Sequence, residues 1–270
     1  MIVVDNASSD NSADQIAPAF PNVELIRNKE NVGFAAGNNQ VIRRLLNEGP
    51  EFIWLLNNDT VIDAKCHSRL LEVMRAEPDV AVSSGKIYFE NPPDTLWYAG
   101  AKEVRWVLEG RHRGALEKDL GQYDLGCDVP FVSGCCMFTR PSAFHDVGLL
   151  KERYFAYEED LDWCIRATSM GKRLRYVPQA KLWHKVSASI RSNTLKPKEG
   201  SGSPFGYYLS FRNKLWTART YSCGYWHLGF LVVRLFSRAL WLSAGMLILR
   251  RFGKIAALWK GFTQGLFLKC

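Results

Sequence analysis

The chain has 270 residues, 47% apolar, 23% charged and 13% aromatic, with a mean hydropathy of −0.15. That composition excludes a disordered or low-complexity protein and suffices for one large domain or two small ones. Its formal charge of +8 is split unevenly: residues 1–180 hold 20 Lys/Arg against 26 Asp/Glu, whereas residues 181–270 hold 15 against Glu199 alone.

A cationic C-terminal third calls for an anionic partner, either a membrane surface or a nucleic acid. No unbroken apolar run reaches the ~18 residues of a simple membrane span, and the first residues lack the basic-then-apolar layout of a secretory leader. The seven cysteines form no CxxC pair and no zinc-like spacing with histidine, so they read as reduced thiols of a cytosolic protein.

Residues 2–4 are a short β-branched run that ends in DNASSD, rich in turn and N-cap types. A short helix over 12–20 and a strand over 23–26 follow. Val41, Ile42, Leu45 and Leu46 share one face of a helix over 39–47, stopped by Gly49 and Pro50. Residues 52–56 read as a strand buried on both faces, running straight into NNDT. A helix over 66–76 and a strand over 80–83 complete a β-α-β-α-β rhythm. The expected fold is therefore α/β, an open, mostly parallel sheet with flanking helices, which binds ligands beyond the carboxyl ends of its strands.

The pattern loosens into hairpin-like pieces at 96–108 and 131–139. A helix over 159–170 carries acids in its first turn and stops at Gly171. Short strands are expected at 174–177 and 181–184, a linker at 192–204, and helices near 205–222, 226–250 and 254–268.

Three constellations could carry chemistry. In LLNNDT, Asn57 and Asp59 are two apart and could point the same way on extended backbone, offering oxygens to Mg²⁺ or Mn²⁺; an ordinary Asn/Asp turn fits as well. In FAYEEDLDWCIRA, Glu158, Glu159, Asp160 and Asp162 crowd a helix start. They either complement the helix dipole or hold a general base whose pKa its neighbours raise. His184 in KLWHK gains meaning only if it meets Asp59 in space. The small residues of NKENVGFAAGNN open a helix whose N–H groups could approach an anion, without matching GxGxxG or the GxxxxGK[ST] loop.

In order and spacing, VVDNASSD, NVGFAAGNN, LLNNDT, SGCCMFTR, FAYEEDLDWCIRA and KLWHKVSAS resemble the motifs of inverting nucleotide-sugar glycosyltransferases of family 2. These have the GT-A fold, and the closest likeness is to the rhamnosyltransferase-like branch. The resemblance covers about residues 1–190 and implies a catalytic domain over 1–191.

It implies that Asp160 is the catalytic base with Glu159 beside it, and that Asp59 and His184 hold Mg²⁺ or Mn²⁺. Asp5, Gly33, Phe34, Asn38, Asn57 and Asn58 would form the donor site, and Gly134 and Cys135 the region where sugar and acceptor meet. The chain starts at the family's second strand, so residues 2–4 are expected to lack a central neighbour. NND has one carboxylate fewer than DxD, and Val186 stands where glycine is common. The implied donor is a dTDP- or UDP-sugar and the implied acceptor a lipid-linked or polysaccharide hydroxyl in bacterial surface glycan synthesis.

The aromatic- and Arg-rich helices over 205–270 fit an anionic membrane surface. Arg234 and Arg238 interrupt the apolar stretch 228–249, which favours an interfacial helix with snorkelling arginines on the inner face of the cell membrane. An ordinary helical subdomain packed on the catalytic body is the alternative. Against these stand an inactive nucleotide-sugar-binding or scaffold protein and a nucleic-acid binder. The apolar character of 228–249 argues against nucleic acid as the partner.

Overall fold

A computed structural model describes residues 1–102, 106–186 and 202–268. Most of the expected linker (192–201) and the end of the KLWHKVSAS motif (187–189) lie outside these residues. Strand β1 (Ile2–Asp5) pairs in parallel with β2 (Glu24–Arg27), with helix α1 (Ser12–Ala19) connecting them. Together they form a two-stranded sheet of their own; among the described residues β1 has no neighbour in the main sheet.

The main sheet contains β3 (Ile53–Leu56), β4 (Thr60–Ile62), β5 (Val80–Phe89), β8 (Cys136–Thr139) and β9 (Arg173–His184), in the order β3-β8-β5-β9-β4. Strand β6 (Leu96–Tyr98) adds to β5, and β7 (Cys127–Asp128) to β9. The α/β layering is as expected, but the pairing is mixed rather than mostly parallel. Among the described residues of this sheet only β5 and β9 pair in parallel. The cause is β8: it runs antiparallel between β3 and β5, so two strands of common direction meet a reversed one instead of each other. The expected pair of short strands near 174–184 is one strand, β9, whose register slips between Gly85 and Lys86 of its partner.

Helix α2 (Gly33–Glu48) begins six residues before the expected start at 39. Its small N-terminal residues allow this. Gly33 has φ +83°, and a side-chain carbon there would lie 2.5 Å from the Phe155 carbonyl oxygen. Ile42 of α2, Leu70 and Met74 of α3 (Cys66–Ala76) and Trp163 of α5 (Glu159–Ser169) are buried against the sheet, with Phe144 of α4 (Pro141–Val147) beside Trp163.

Helices α6 (Pro204–Tyr221), α7 (Tyr225–Ile248) and α8 (Phe252–Phe267) form a second apolar cluster built on Leu215, Leu235, Met246 and Leu258. Gly265 lets α8 close on α6, since a side-chain carbon there would sit 2.7 Å from the Arg212 carbonyl oxygen. The helix expected over 226–250 is present. In the structure α7 has 24 residues and is long and apolar enough to cross a bilayer by length and composition, with 28% of its most apolar stretch buried in the protein. Arg234 and Arg238 lie within it.

Candidate active site

The reversed strand β8 builds the site. Leu56, at the end of β3, pairs with Cys136, at the start of β8, and the Asn57 N–H continues the ladder to the Cys135 carbonyl at 3.1 Å. The NNDT turn is thereby fixed beside Ser133, Gly134 and Cys135. At the other end of that turn Thr60 pairs with His184 of β9, so His184 Nε2 lies 3.0 Å from Asp59 Oδ1. His184 is buried, its Nδ1 has no hydrogen-bond partner, and Trp97 stands edge-on to its ring at 4.7 Å.

Asp160 approaches from α5. Its Oδ2 accepts the Gly134 N–H at 2.8 Å and its Oδ1 the Leu161 N–H at 2.8 Å. A side-chain carbon on Gly134 would lie 3.3 Å from the Phe34 ring and 3.4 Å from that carboxylate, so glycine permits the close approach. Burial pushes the Asp160 carboxyl up to about 6, against the pull of the two N–H donors and with help from the nearby Glu158. Glu159 is buried with Oε2 unpartnered. Desolvation, and then the neighbouring Asp160, hold it well above the ordinary carboxyl range.

The turn that carries these acids is strained. Phe155, Tyr157 and Glu158 have φ of +67°, +69° and +73°, a region that costs non-glycine residues about 1–3 kcal/mol each unless the surroundings enforce it. The enforcement comes from α6. The buried Asn213 amide donates to the carbonyls of Tyr154, Ala156 and Tyr157 at 2.9, 2.9 and 2.8 Å, Arg212 donates to Tyr154 at 3.0 Å, and Lys214 pairs with Glu158 at 2.9 Å.

Phe34, Asn57, Gly134, Cys135, Glu159, Asp160 and His184 line one cavity of about 530 Å³, with Asp59 held against His184. Asp5, Gly33, Asn38 and Asn58 are not among its lining residues. Asp5 caps the turn after β1, accepting the Ser8 N–H at 3.0 Å, and hydrogen bonds from Ser8 hold its carboxyl below the usual range. Gly33 sits beneath Phe34, and Asn38 donates back to the Phe34 carbonyl at 2.8 Å. Asn6, adjacent to Asp5, ties β1 to the start of α2 by donating to the Gly33 carbonyl at 3.1 Å.

Sequence reasoning missed Trp97, Glu109, Arg111, His112, Lys214 and Arg238 in the same lining. Burial keeps His112 neutral by lowering its pKa to about 4. Arg234 and Arg238, read from the sequence as reaching lipid headgroups, reach Glu109 of the body instead, at 2.7 and 3.4 Å. Burial alone would raise the Glu109 carboxyl; the Arg234 hydrogen bond and the charges of Lys214, Arg234 and Arg238 hold it at about 2. The cationic C-terminal third was the available signal, but nothing in it pointed to a single acid more than a hundred residues away.

The arrangement offers a desolvated carboxylate with a raised pKa, a carboxylate–imidazole pair and a cationic wall around one cavity, the parts list of acid–base chemistry on a phosphorylated substrate. A crystal structure of GalNAc-T7 with UDP, GalNAc and Mn²⁺ superposes with a TM-score of 0.53 at 11% identity, covering 68% of this chain and 37% of that one; this likeness concerns the fold. The N-acetylglucosaminyl-diphospho-decaprenol L-rhamnosyltransferase of Mycobacterium tuberculosis (strains CDC 1551 / Oshkosh and ATCC 25618 / H37Rv) is 26% identical over 208 residues. That match spans 68% of this chain and 66% of the relative's length, just under two thirds. The low-salt glycan biosynthesis hexosyltransferase Agl10 of Haloferax volcanii is 27% identical over 176 residues, 62% of this chain and 52% of its own. Residues 1–148 match the family described as glycosyl transferase family 2, and the chain belongs to that family.

Proposed function

We propose that the protein is an inverting glycosyltransferase. It moves a sugar from a nucleoside diphosphate, dTDP- or UDP-linked, to a hydroxyl of a lipid-linked or polysaccharide acceptor. The observation that carries this reading is Asp160, a carboxylate raised to about 6 by burial yet aimed into the cavity by two backbone N–H groups. Ionised at neutral pH and more basic than a free aspartate, it takes the acceptor's hydroxyl proton as the oxygen attacks the anomeric carbon. Such a base contributes about 10²- to 10⁴-fold. The carbon–oxygen bond to the diphosphate breaks on the opposite face, its electron pair leaves with the diphosphate, and the configuration inverts. Burial, and then the adjacent Asp160, raise the Glu159 carboxyl well above its ordinary range, which disfavours a second charge beside Asp160.

Asp59 Oδ1 and His184 Nε2, 3.0 Å apart at the cavity, suit a Mg²⁺ or Mn²⁺ ion that takes its remaining ligands from diphosphate oxygens and water. The fit is supported by the chemistry of the donor set, one carboxylate oxygen and one imidazole nitrogen side by side. Among the described residues no cluster of three His, Cys, Asp or Glu side chains offers a fuller cage. Bound there, the ion would supply Lewis-acid neutralisation of the leaving diphosphate. Phe34 and Asn57 contact the donor, with Gly33, Asn38, Asn58 and Asp5 shaping the strand ends around it, and Gly134 and Cys135 bound the meeting point of sugar and acceptor.

The domains are a catalytic body over 1–191 and helices over 205–270, joined by the segment between. The name of the mycobacterial relative supports L-rhamnose as the sugar and a diphospho-lipid as the acceptor's carrier. The exposed apolar face of α7 supports a site on the inner face of the cell membrane.

The test is a thermal-shift titration with UDP and dTDP, each with and without Mn²⁺, followed by transfer assays on Asp160→Asn. Metal-dependent stabilisation by one nucleotide, and loss of transfer with nucleotide binding retained in the variant, are expected. Full transfer by Asp160→Asn would remove Asp160 from the role of base.

A further inference from the structure

On one side of the cavity, cations outnumber the acids they pair with. Arg111, Lys214, Arg234 and Arg238 surround two carboxylates, Glu109 and Glu158. The tight contacts are Arg234 to Glu109 at 2.7 Å and Lys214 to Glu158 at 2.9 Å. Arg238 and Arg111 stand off Glu109 at 3.4 and 3.7 Å, with side chains 52% and 51% exposed. Both line the cavity that contains Asp160. Each guanidinium presents five N–H donors in a planar fork suited to phosphate oxygens, and among the described residues Glu109 is the acid that each one reaches.

What adjoins them is apolar. Phe230, Val233, Leu240 and Trp241 on α7 are half or more exposed. Arg238 lies one helical turn from Trp241 and Arg234 one turn from Phe230, so the arginines border this stripe. A ligand that satisfies both neighbours carries two negative charges at one end and a hydrocarbon chain at the other.

We infer that Arg111 and Arg238 bind the diphosphate of a lipid diphosphate whose chain lies along the exposed stripe of α7. The inference deepens the sugar-transfer reading and rests on it: the lipid diphosphate is the carrier of the acceptor, held beside the base. The two loosely engaged guanidiniums neutralise the diphosphate, and the stripe excludes water from the first part of the chain.

The test uses the full chain with its nucleotide site filled by UDP or dTDP and Mn²⁺, titrated calorimetrically with farnesyl diphosphate, inorganic pyrophosphate and farnesol. Farnesyl diphosphate is expected to bind, and Arg111→Gln and Arg238→Gln each to weaken it about tenfold. Pyrophosphate is expected to bind about tenfold more weakly than farnesyl diphosphate, and farnesol not to compete. Nucleotide affinity, read in the same samples, is expected unchanged in both variants. That readout also reports folding, and it separates a failed donor site from a failed lipid site. Wild-type affinity for farnesyl diphosphate in the double variant would overturn the inference. So would equal binding of pyrophosphate and farnesyl diphosphate, or variants that weaken nucleotide in place of lipid.

Discussion

The Gly134 N–H reaches the Asp160 carboxylate at 2.8 Å from 26 residues away in sequence. Position 134 carries no side chain there, and a carbon would crowd the Phe34 ring at 3.3 Å and that carboxylate at 3.4 Å. This contact joins the segment before β8 to the start of α5 and holds that carboxylate at the cavity.

Asp160→Asn should therefore separate activity from stability. Transfer should fall by about 10²- to 10⁴-fold. In the wild type, kcat should rise with pH through about 6, and the variant should lose that limb. Because the folded pKa is raised above the ordinary aspartate value, the native state holds its proton where the unfolded chain has released it. Stability is lost as pH rises toward 6. The variant should thus melt higher than the wild type at pH 7.5, with the gap closing near pH 4. A Tm series across that range, beside a pH–rate profile, checks both signs.

Asp59→Ala should remove the part of nucleotide stabilisation that needs Mn²⁺ and leave the metal-independent part. The measurement is the Tm shift with UDP or dTDP before and after EDTA. An EDTA-sensitive shift of wild-type size in the variant would exclude Asp59 as a ligand.

Asn213→Ala deletes the donor that reaches three carbonyls of the strained turn. Leaving buried carbonyls unsatisfied costs about 1–3 kcal/mol, so Tm should fall by several degrees. A merely structural loss would stop there. A positioning role predicts in addition a lower kcat at 20 °C, well below unfolding, with donor KM changed less than kcat.

Glu109→Gln should destabilise the protein at neutral pH by leaving the surrounding cations without their buried counter-charge. The sign follows from a folded pKa held at about 2, below the unfolded value. The stabilisation is complete above the ordinary glutamate pKa and disappears as pH falls through about 2. Wild type and variant should differ most in Tm at pH 6–7 and converge toward pH 2–3. A constant difference would mean that packing, not charge, is what the substitution disturbs.

Much of this was legible in the sequence where chemistry is local. The spacing of Val41, Ile42, Leu45 and Leu46 marked a helix, residues 52–56 a buried strand, and NNDT the turn beyond it. Acids grouped before Leu161 marked a helix start. The resemblance in six motifs anticipated the family. Strand direction was not legible: an apolar run such as 136–139 buries equally well either way, so the reversal of β8 and the mixed sheet stayed hidden. Asn213 reads as one polar residue among many in a basic helix. Its complete burial depends on carbonyls some 56 to 59 residues earlier. Glu109 was likewise an isolated acid in a loop until α6 and α7 closed on it.

The clamp of Asn213 on the turn at 154–157 has a bearing on how the molecule opens. A backbone held in left-handed conformations by another helix has no reason to keep them once that helix departs, so α6 undocking and loss of the site's geometry are one cooperative event. Amides of the turn and of α6 should then exchange with solvent as a single unit. The stretch that matches the family, residues 1–148, ends before either partner of this clamp. The turn and the helix that clamps it lie some 56 to 59 residues apart, yet they open and close as one unit.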